Sequence, residues 1–273
     1  MPIMVSQVFS DRDGRSDMAE FRVLILGGTS EARQLAAALP KRSDADILLS
    51  LAGRTEKPSK QPVPVRIGGF GGAEGLARFL REGEFDLLVD ATHPFAARIS
   101  ANAAEAAVMT GIPTIALRRP LWSEEHGDRW THAATIPEAI EALGAAPRRV
   151  FLATGRQEAH AAEAAPQHFY LVRSVDPVTP PLKLDHAVFI LDRGPFALDA
   201  ELALLRDHRI DAVIAKNSGG DATYAKIEAA RMLGIEVFVV GRAVAPVMRT
   251  VETVEDALAA IDHLVPPAMK RGV

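Results

Sequence analysis

The chain of 273 residues is 48% hydrophobic and carries 31 Lys and Arg against 35 Asp and Glu residues, a formal net charge of −4. This balance lacks the basic excess of a nucleic-acid-binding protein, and the absence of cysteine excludes disulfides, thiolate metal sites and cysteine nucleophiles. The absence of cysteine also favours a cytoplasmic compartment, and because the sequence has no apolar run of about 18 residues, we predict no membrane span.

Residues 1–19, "MPIMVSQVFSDRDGRSDMA", lack a basic segment followed by an unbroken apolar one, so they do not resemble a signal peptide. We interpret them as a loosely held extension, with Met18 as an alternative start.

From residue 21 onward, short apolar runs alternate with alanine-rich amphipathic stretches, which predicts βα units and a buried parallel sheet. The predicted strands lie near residues 21–26, 46–51, 63–67, 86–91 and 114–118, and the predicted helices near 30–39, 72–82 and 96–110. Together they form a first α/β domain at residues 20–125.

The segment "RRPLWSEEHGDRWTHAATIPEAI" at residues 118–140 breaks this pattern and is interpreted as a connection between domains. The pattern then resumes, with strands near 148–153, 168–173, 187–191, 211–215 and 236–240, and helices near 197–208, 222–233 and 253–264. The prediction is two Rossmann-like, doubly wound α/β domains, with the second at residues 126–273. We expect a ligand site in a cleft between them, because parallel sheets bind ligands beyond the carboxyl ends of their strands.

The first candidate cofactor motif is "LGGTSEAR", which follows the first strand. Gly27 and Gly28 form a turn, and Thr29 or Ser30 can cap the helix, so that the backbone N–H groups and the helix dipole would attract a phosphate. The alternative is a turn with a purely structural role, because glycine also suits strained turns.

The second strand ends in "LSLAGRT", which offers Ser50, Arg54 and Thr55 but no acid. A site for NAD usually places a carboxylate here to bind the ribose, whereas an arginine and small donors suit the 2′-phosphate of NADPH. The motif therefore favours NADPH, against the alternative of an ordinary surface arginine.

Two further strand exits carry candidate groups. The cluster "RIGGFGGAEGL" includes Gly69 and Gly71, which either let the backbone approach a cofactor or only permit a sharp bend. In "DATHPFA", Thr92 and His93 follow the fourth strand and are candidates for cofactor binding and for the cleft; alternatively, His93 caps the next helix.

The most polar strand exit is "VIAKNSGGDATYAKIEAARMLG". Its lysine, amide, hydroxyl and glycines form a plausible clamp for carboxylates or phosphates, made by Lys216, Asn217, Ser218 and Gly219. The alternative is a helix entry capped by Asp221 or Thr223 beside a solvated lysine. The eight histidines show no metal-binding spacing, so no metal site is expected.

The ordered motifs over residues 22–263 resemble the precorrin-6A reductase family. They are "LILGGTSEAR", "SLAGRT", "RIGGFGG.EGL", "DATHPFA", "RP.W" with a following "D.W", "TGR", "RGPF" and "KNSGG..T.AKI.AAR.LG". The chain departs from the family where it has Arg242 followed by Ala243, since the family often has an Arg-Pro pair there.

The resemblance implies NADPH-dependent reduction of precorrin-6A to precorrin-6B, with a tetrapyrrole macrocycle bearing many carboxylates as substrate. Cationic candidates for these carboxylates are Arg118, Arg119, Arg156, Arg173, Arg193 and Lys216. The proton that accompanies the hydride could come from His93, Lys216, Tyr224 or water. The alternatives are a cobalt-precorrin-6A reductase using NADH or NADPH, and a non-catalytic NADPH sensor. The sequence does not indicate an oligomeric state.

Overall fold

The computed structural model describes residues 21–42, 45–53 and 59–265, and the chain divides into two compact units. The first unit contains residues Met1–Arg119 and Val244–Val273, and the second contains Pro120–Ala243. The extension predicted at residues 1–19 lies outside the described residues. Across the part that the structure describes, none of the helices is long and apolar enough to cross a membrane.

The first unit contains a parallel six-stranded sheet. Its strands are β1 (Arg22–Leu26), β2 (Asp46–Leu51), β3 (Val65–Ile67), β4 (Leu87–Asp90), β5 (Thr114–Leu117) and β12 (Arg249–Val251). The strand order is β12-β5-β4-β1-β2-β3, which is the order of a Rossmann domain with its switch point between β1 and β4. The carboxyl ends of β1 and β4 therefore mark the expected ligand edge.

Four helices cover the two faces of this sheet: α1 (Ser30–Arg42), α2 (Ala73–Glu82), α3 (Ala97–Thr110) and α7 (Val254–Asp262). Side chains alternate along a strand, so Val23 and Ile25 pack with α1 and α7 while Leu24 and Leu26 pack with α2 and α3. Burial on both faces explains why β1 is an unbroken apolar run rather than an alternating one.

The end of the chain belongs to the first unit, which corrects the predicted second domain at residues 126–273. Strand β12 pairs with β5, with Thr250 opposite Ala116. In α7, Ala257 and Ile261 are fully buried in the same core as α1. The apolar face of α7 thus covers the sheet face beside α1, a pairing that the order of elements along the chain does not reveal.

The second unit also contains a parallel six-stranded sheet. Its strands are β6 (Trp130–Ala133), β7 (Arg149–Ala153), β8 (Phe169–Ser174), β9 (Ala187–Leu191), β10 (Ala212–Lys216) and β11 (Glu236–Val240). Its helices are α4 (Ile136–Glu141), α5 (Leu198–Asp207) and α6 (Ala225–Leu233), with short 3₁₀ helices at Ala159–Ala164 and Asp221–Thr223. The order β6-β11-β10-β7-β8-β9 puts the switch point of this sheet between β7 and β10.

The segment interpreted as a connection, residues 118–140, contains β6 and most of α4 instead. Strand β6 pairs with β11 at the edge of the second sheet. Thr135 caps α4, because its hydroxyl accepts the backbone N–H of Glu138 at 3.2 Å.

Candidate functional site

The first glycine turn follows β1 at the switch point of the first sheet. Gly27 packs closely on β2, since a Cβ at this position would lie 2.6 Å from Leu49 Cδ1. Gly28 has a φ of 124° and open space around the position of a Cβ, so glycine is needed there for its conformation while the backbone stays accessible. The turn can therefore accept a phosphate against its N–H groups.

Thr29 serves the protein as the cap of α1. Its hydroxyl accepts the N–H of Ala32 at 3.1 Å and donates to the carbonyl of Ala91 at 2.9 Å. This bridge joins the turns after β1 and β4. Ser30 beside it is exposed, and its hydroxyl lies 3.1 Å from Glu31 Oε2. Of the two hydroxyls, that of Ser30 is the more accessible to a ligand.

Glu31, which the sequence reasoning did not select, brings a carboxylate into the first turn of α1. Arg119 Nη1 donates to both of its oxygens, at 2.8 and 2.9 Å. Burial alone would raise the pKa of Glu31, but the hydrogen bonds and charge of Arg119 outweigh burial and hold the pKa below its ordinary value. The positive charge of Arg119 offsets the negative charge of Glu31, which would otherwise repel a phosphate here.

Asp90 organises the exit of β4 and is a second residue that the sequence reasoning missed. It is 1% exposed, and its Oδ1 accepts Thr92 Oγ1 at 2.7 Å and Thr92 N at 3.2 Å. Its Oδ2 lies 3.5 Å from Arg118 Nη2. Asp90 therefore connects one predicted cofactor residue with one predicted substrate residue. The acidic residue at the end of an otherwise apolar strand, in "DATHPFA", is the feature of the sequence that could have identified it.

His93 is exposed at the same strand exit. Its Nδ1 accepts the backbone N–H of Phe95 at 3.3 Å, ahead of the start of α3. This hydrogen bond orients the imidazole ring at the strand exit.

The exit of β2 combines a buried serine with an arginine from β3. Ser50 is 5% exposed, and its hydroxyl lies 3.5 Å from Arg66 Nη1. Arg66 also donates to the carbonyls of Gly68 and Gly69, at 2.5 and 2.8 Å, and its guanidinium lies 3.9 Å from the ring centroid of Phe70. Burial lowers the pKa of Arg66. Arg66 thus shapes the second glycine cluster, while the predicted cofactor residues Arg54 and Thr55 lie outside the described residues.

The second glycine cluster leads into α2. Gly71 has a φ of 84° and Gly69 is surrounded by open space. A Cβ at Gly75 would lie 1.8 Å from the carbonyl oxygen of Phe70, so that glycine allows the loop to pack against the helix. Gly69 and Gly71 are both exposed, so their backbone is accessible to a ligand.

In the second unit, two predicted cationic residues lie at the switch point between β7 and β10. Lys216 ends β10 and forms an ion pair with Glu158. Arg156 follows β7, and its Nη1 lies 3.9 Å from Asp176 Oδ2. Both cations thus pair with carboxylates of the chain. A polycarboxylate ligand would offer the same chemical group in place of these side chains.

Asn217 and Ser218 form hydrogen bonds to other residues of the second unit. The side chain of Asn217 accepts Trp122 N at 2.8 Å and donates to Trp122 O at 3.0 Å. Arg242 donates to the carbonyls of Asn217 and Ser218, at 3.0 and 2.9 Å. Gly219 has a φ of 65°, and a Cβ there would lie 1.9 Å from the carbonyl oxygen of Pro120. The amide of Asn217 is therefore used in packing, which leaves Lys216 as the ligand candidate of this turn.

Tyr224 also has structural partners. Its hydroxyl donates to Glu125 Oε1 at 2.9 Å and accepts a hydrogen bond from Arg231. Burial and the bond to Glu125 raise its pKa, against the opposing effect of Arg231. Tyr224 is thus a poor source of a proton near neutral pH.

Arg173 is buried, contrary to its predicted role as a substrate ligand. It is 7% exposed, and its two Nη atoms donate to Glu201 at 2.5 and 3.0 Å. Its guanidinium lies 3.7 Å from the ring centroid of Phe196 and 4.7 Å from that of Phe151. Because removing one partner of a buried pair leaves an uncompensated charge and costs about 3–5 kcal/mol, Arg173 is retained by Glu201 and is withdrawn as a ligand.

The predicted site residues thus form one group in each unit. In the first unit they lie at the carboxyl ends of β1, β2, β3, β4 and β5, and in the second mainly at those of β7 and β10. Within the described ranges, no group of three or more His, Asp or Glu side chains is placed to hold a metal ion. These features define a Rossmann-like α/β protein with an accessible glycine turn at the switch point of its first sheet.

Comparisons with known proteins specify the family. A family model described as Precorrin-6x reductase CbiJ/CobK matches residues 22–262. A precorrin-6A reductase of Sinorhizobium sp is 58% identical over 253 residues, which cover 93% of this chain and 97% of that protein. A cobalt-precorrin-6A reductase of Priestia megaterium is 29% identical over 231 residues, which cover 81% of this chain and 90% of that protein.

A solved structure described as CobK precorrin-6A reductase matches with a TM-score of 0.87 and 44% identity, covering 93% of this chain and 100% of that one. The chain therefore belongs to the precorrin-6x reductase CbiJ/CobK family. It is an oxidoreductase of cobalamin biosynthesis.

Proposed function

We propose that the chain reduces precorrin-6A to its dihydro form, precorrin-6B, with NADPH as the hydride donor. The observation that carries the proposal is the glycine turn after β1, where Gly28 leaves the backbone accessible at a Rossmann switch point, in a member of a precorrin-6x reductase family. When bound, NADPH supplies the hydride from its nicotinamide ring. The residues of the chain bind and orient the reactants.

The cofactor is proposed to lie along the carboxyl edge of the first sheet. The N–H groups of Gly28 and Ser30 would hold the pyrophosphate at the start of α1, while Gly27, whose own N–H donates to Ser50 O at 2.9 Å, joins this turn to β2. Gly69, Gly71 and Thr92 would line the neighbouring strand exits. Because the hydroxyl of Thr92 is held by Asp90, it would present a fixed surface rather than a freely rotating donor.

The preference for NADPH rests on the exit of β2. The described residues that follow Ser50, Leu51 to Gly53, include no acid to bind a ribose diol. Arg54 and Thr55 come next in sequence and supply the charge and hydroxyl that suit a 2′-phosphate. We therefore propose Arg54, rather than Arg66, as the phosphate ligand, since Arg66 is bound to two backbone carbonyls.

The cofactor assignment is tested by Arg54→Ala, with Arg78→Ala as control because Arg78 is exposed on α2. Losing a charge-assisted contact costs roughly 1.5–3 kcal/mol, so the variant should bind NADPH about tenfold or more weakly and NADH almost unchanged. Equal losses for both cofactors would contradict the assignment.

The carboxylates of the macrocycle are proposed to bind Lys216, Arg156 and Arg118. Each of these cations has an acidic partner in the chain, Glu158, Asp176 and Asp90 respectively. Glu158 is 39% exposed at its side chain, so it can turn to solvent when a substrate carboxylate takes its place. Ser218 and Gly219 are not included, because both are buried and the carbonyl of Ser218 accepts a hydrogen bond from Arg242.

Reduction of the ring takes up a proton together with the hydride. We propose His93 or Lys216 as its source, with water as the alternative. Tyr224 is set aside because its hydroxyl donates to Glu125 and its pKa is raised. A tyrosine hydroxyl whose pKa lies above the ordinary value near 10 keeps its proton at neutral pH.

The reaction assignment is tested by following NADPH oxidation with precorrin-6A and, separately, with cobalt-precorrin-6A. The proposal expects turnover with the metal-free ring, in line with the closer relative that bears this name. Turnover only with the cobalt form would favour the first alternative. NADPH binding without oxidation by either ring would favour the sensor.

A further inference from the structure

Thr154, in the "TGR" motif, is a buried residue that the proposed function has not yet used. It follows β7 directly and is 6% exposed. Its Oγ1 atom is buried, and within the part of the chain that the structure describes it has no hydrogen-bond partner. Buried hydroxyls are nearly always paired, because burying one without a partner costs stability. The hydroxyl of Thr154 is therefore a candidate for a contact with a ligand.

The side chain of Thr154 lies on the same face of the second sheet as that of Lys216. Phe151 of β7 and Ala215 of β10 both belong to the core beneath α5 and α6. Because side chains alternate along a strand, Thr154 and Lys216 turn to the opposite face. In the parallel pairing of the two strands, Ala153 lies opposite Ala215. Thr154 and Lys216, each one residue further on, are therefore neighbours at the switch point of this sheet.

The turn beside the hydroxyl is open and contains a charged pair. Gly155 has a φ of 86°, and no atom lies within 4 Å of the position of a Cβ there, so a ligand can approach over this turn. Lys216 pairs with Glu158, which precedes the 3₁₀ helix. The side chain of Glu158 is the more exposed of the two, so a competing anion displaces the carboxylate and leaves the ammonium in place.

A hydroxyl beside an ammonium group suits an anionic oxygen. The lysine ammonium donates only, and a threonine hydroxyl has one further proton to donate. The two oxygens of a carboxylate accept both donors, and the ionised acceptor makes these hydrogen bonds stronger than neutral ones. An ester or a primary amide carries no charge for the ammonium. This corner of the second unit therefore favours a free carboxylate side chain.

We propose that Thr154 is a substrate-binding residue that helps to determine specificity. Its hydroxyl donates to a free carboxylate of the tetrapyrrole, the same carboxylate that takes the place of Glu158 on Lys216. This inference rests on the proposed function, in which Lys216 binds a substrate carboxylate. The hydroxyl is unpaired in the free chain and gains its partner only when the ring binds.

Thr154→Val tests the proposal, because valine keeps the shape of the side chain and removes the hydroxyl. KM for precorrin-6A should rise at least about tenfold while kcat stays within about twofold, since the contact forms equally in the ground and transition states. The melting temperature should stay the same or rise, because an apolar group of the same shape replaces an unpaired buried one. Thr154→Ser keeps the hydroxyl and should return KM to near the wild-type value.

Thr131→Val is the matched control. Thr131 lies on β6 of the same unit, and its hydroxyl donates to Glu236 Oε1 at 2.8 Å. This variant removes a hydroxyl that already has a partner in the chain. It should lower the melting temperature and leave KM for precorrin-6A unchanged, which is the opposite pattern to that of Thr154→Val.

A double variant tests whether Thr154 and Lys216 bind the same carboxylate. If they do, Thr154→Val combined with Lys216→Ala should raise KM by less than the product of the two single effects, because each single change already weakens the shared contact. Effects that multiply would assign the two residues to separate groups and contradict the shared carboxylate.

Direct binding of precorrin-6A to the full chain without cofactor, measured by titration calorimetry, separates this inference from the proposed reaction. A wild type that binds the ring but oxidises no NADPH would refute the reaction. The Thr154 contact would still be supported if Thr154→Val weakened binding about tenfold and Thr154→Ser did not. A wild type that does not bind the ring, or a Thr154→Val variant with wild-type affinity, would overturn the contact. A Thr154→Val variant that unfolds at a lower temperature would overturn it too, because the hydroxyl would then have a structural partner.

Discussion

Glu31 pairs with Arg119 at the start of α1, and this pair makes a pH-dependent contribution to stability. The pKa of Glu31 is lowered in the folded chain, since Arg119 outweighs the opposing effect of burial. A lowered pKa means that the carboxylate stabilises the fold above its unfolded pKa of about 4.3 and loses that effect as pH falls through the folded pKa.

We predict that Glu31→Gln lowers the free energy of unfolding at neutral pH by up to about 1 kcal/mol, because the pair is partly exposed. The difference from the wild type should shrink as pH falls below the ordinary pKa of about 4.3 and vanish once the pH lies below the folded pKa of Glu31. Denaturant unfolding at neutral pH and over a series of acidic pH values measures this. A difference that persists in acid would mean that Glu31 acts through packing rather than charge.

Lys216 is the side chain on which the second ligand site most depends. Its side chain is 15% exposed and its partner Glu158 39% exposed, so removing the lysine leaves a carboxylate that water can solvate. Lys216→Ala should therefore change stability by less than about 0.5 kcal/mol. If Lys216 binds a substrate carboxylate, kcat/KM for the macrocycle should fall at least about tenfold, or about 1.4 kcal/mol.

Steady-state kinetics and thermal unfolding measured on one preparation check this prediction. Lys183→Ala is the matched control, since Lys183 is an exposed lysine of the same unit. A folded Lys216→Ala variant with unchanged turnover would return Lys216 to an ordinary ion pair with Glu158.

The sequence identified polar residues at strand exits but not what each one contacts. The partner of Asn217 is Trp122, 95 residues earlier, and that of Arg173 is Glu201, 28 residues later. Such pairings are created only by the fold, so a residue used in packing looks the same in sequence as one available to a ligand. Asp90 was missed for the same reason, since its importance lies in its partners.

At the scale of elements, the turn between β10 and α6 depends on Gly219. Its φ of 65° matches that of Gly234, which caps α6, but only Gly219 would place a Cβ against the carbonyl of Pro120. Gly219→Ala should therefore destabilise the chain by more than Gly234→Ala, for which strain alone costs roughly 1–2 kcal/mol. Denaturant unfolding of both variants compares them. Equal losses would mean that the Pro120 contact relaxes at no cost.

The central strands were predicted from sequence because burial on both faces makes each one an unbroken apolar run. The edge strands β6 and β12 were missed: their sequences, Trp-Thr-His-Ala and Arg-Thr-Val, are short and partly polar. An edge strand needs only one neighbour, so its sequence carries a weaker signal. The pairing of β12 with β5 and the packing of α7 beside α1 are long-range contacts. No local sequence pattern therefore predicts that these two elements belong to the first unit.

For the whole molecule, the structure predicts which fragments fold. Residues 120–243 contain every strand of the second sheet, whereas residues 126–273, the domain expected from sequence, add α7 without the core that covers it. We predict that the fragment 120–243 unfolds cooperatively. The fragment 20–119 should not, because it lacks the buried residues of α7. Circular dichroism during thermal unfolding tests both, and a cooperative fragment 20–119 would contradict the assignment of α7.

The central claim is that the chain transfers hydride from NADPH to precorrin-6A. The most direct measurement supplies NADPH deuterated at the transferable position of nicotinamide C4 and follows the mass of the tetrapyrrole product. The account predicts a dihydro product that retains the deuterium, since hydride passes directly from cofactor to ring. A product without deuterium from either C4 face, or an unchanged ring in the presence of bound NADPH, would contradict it.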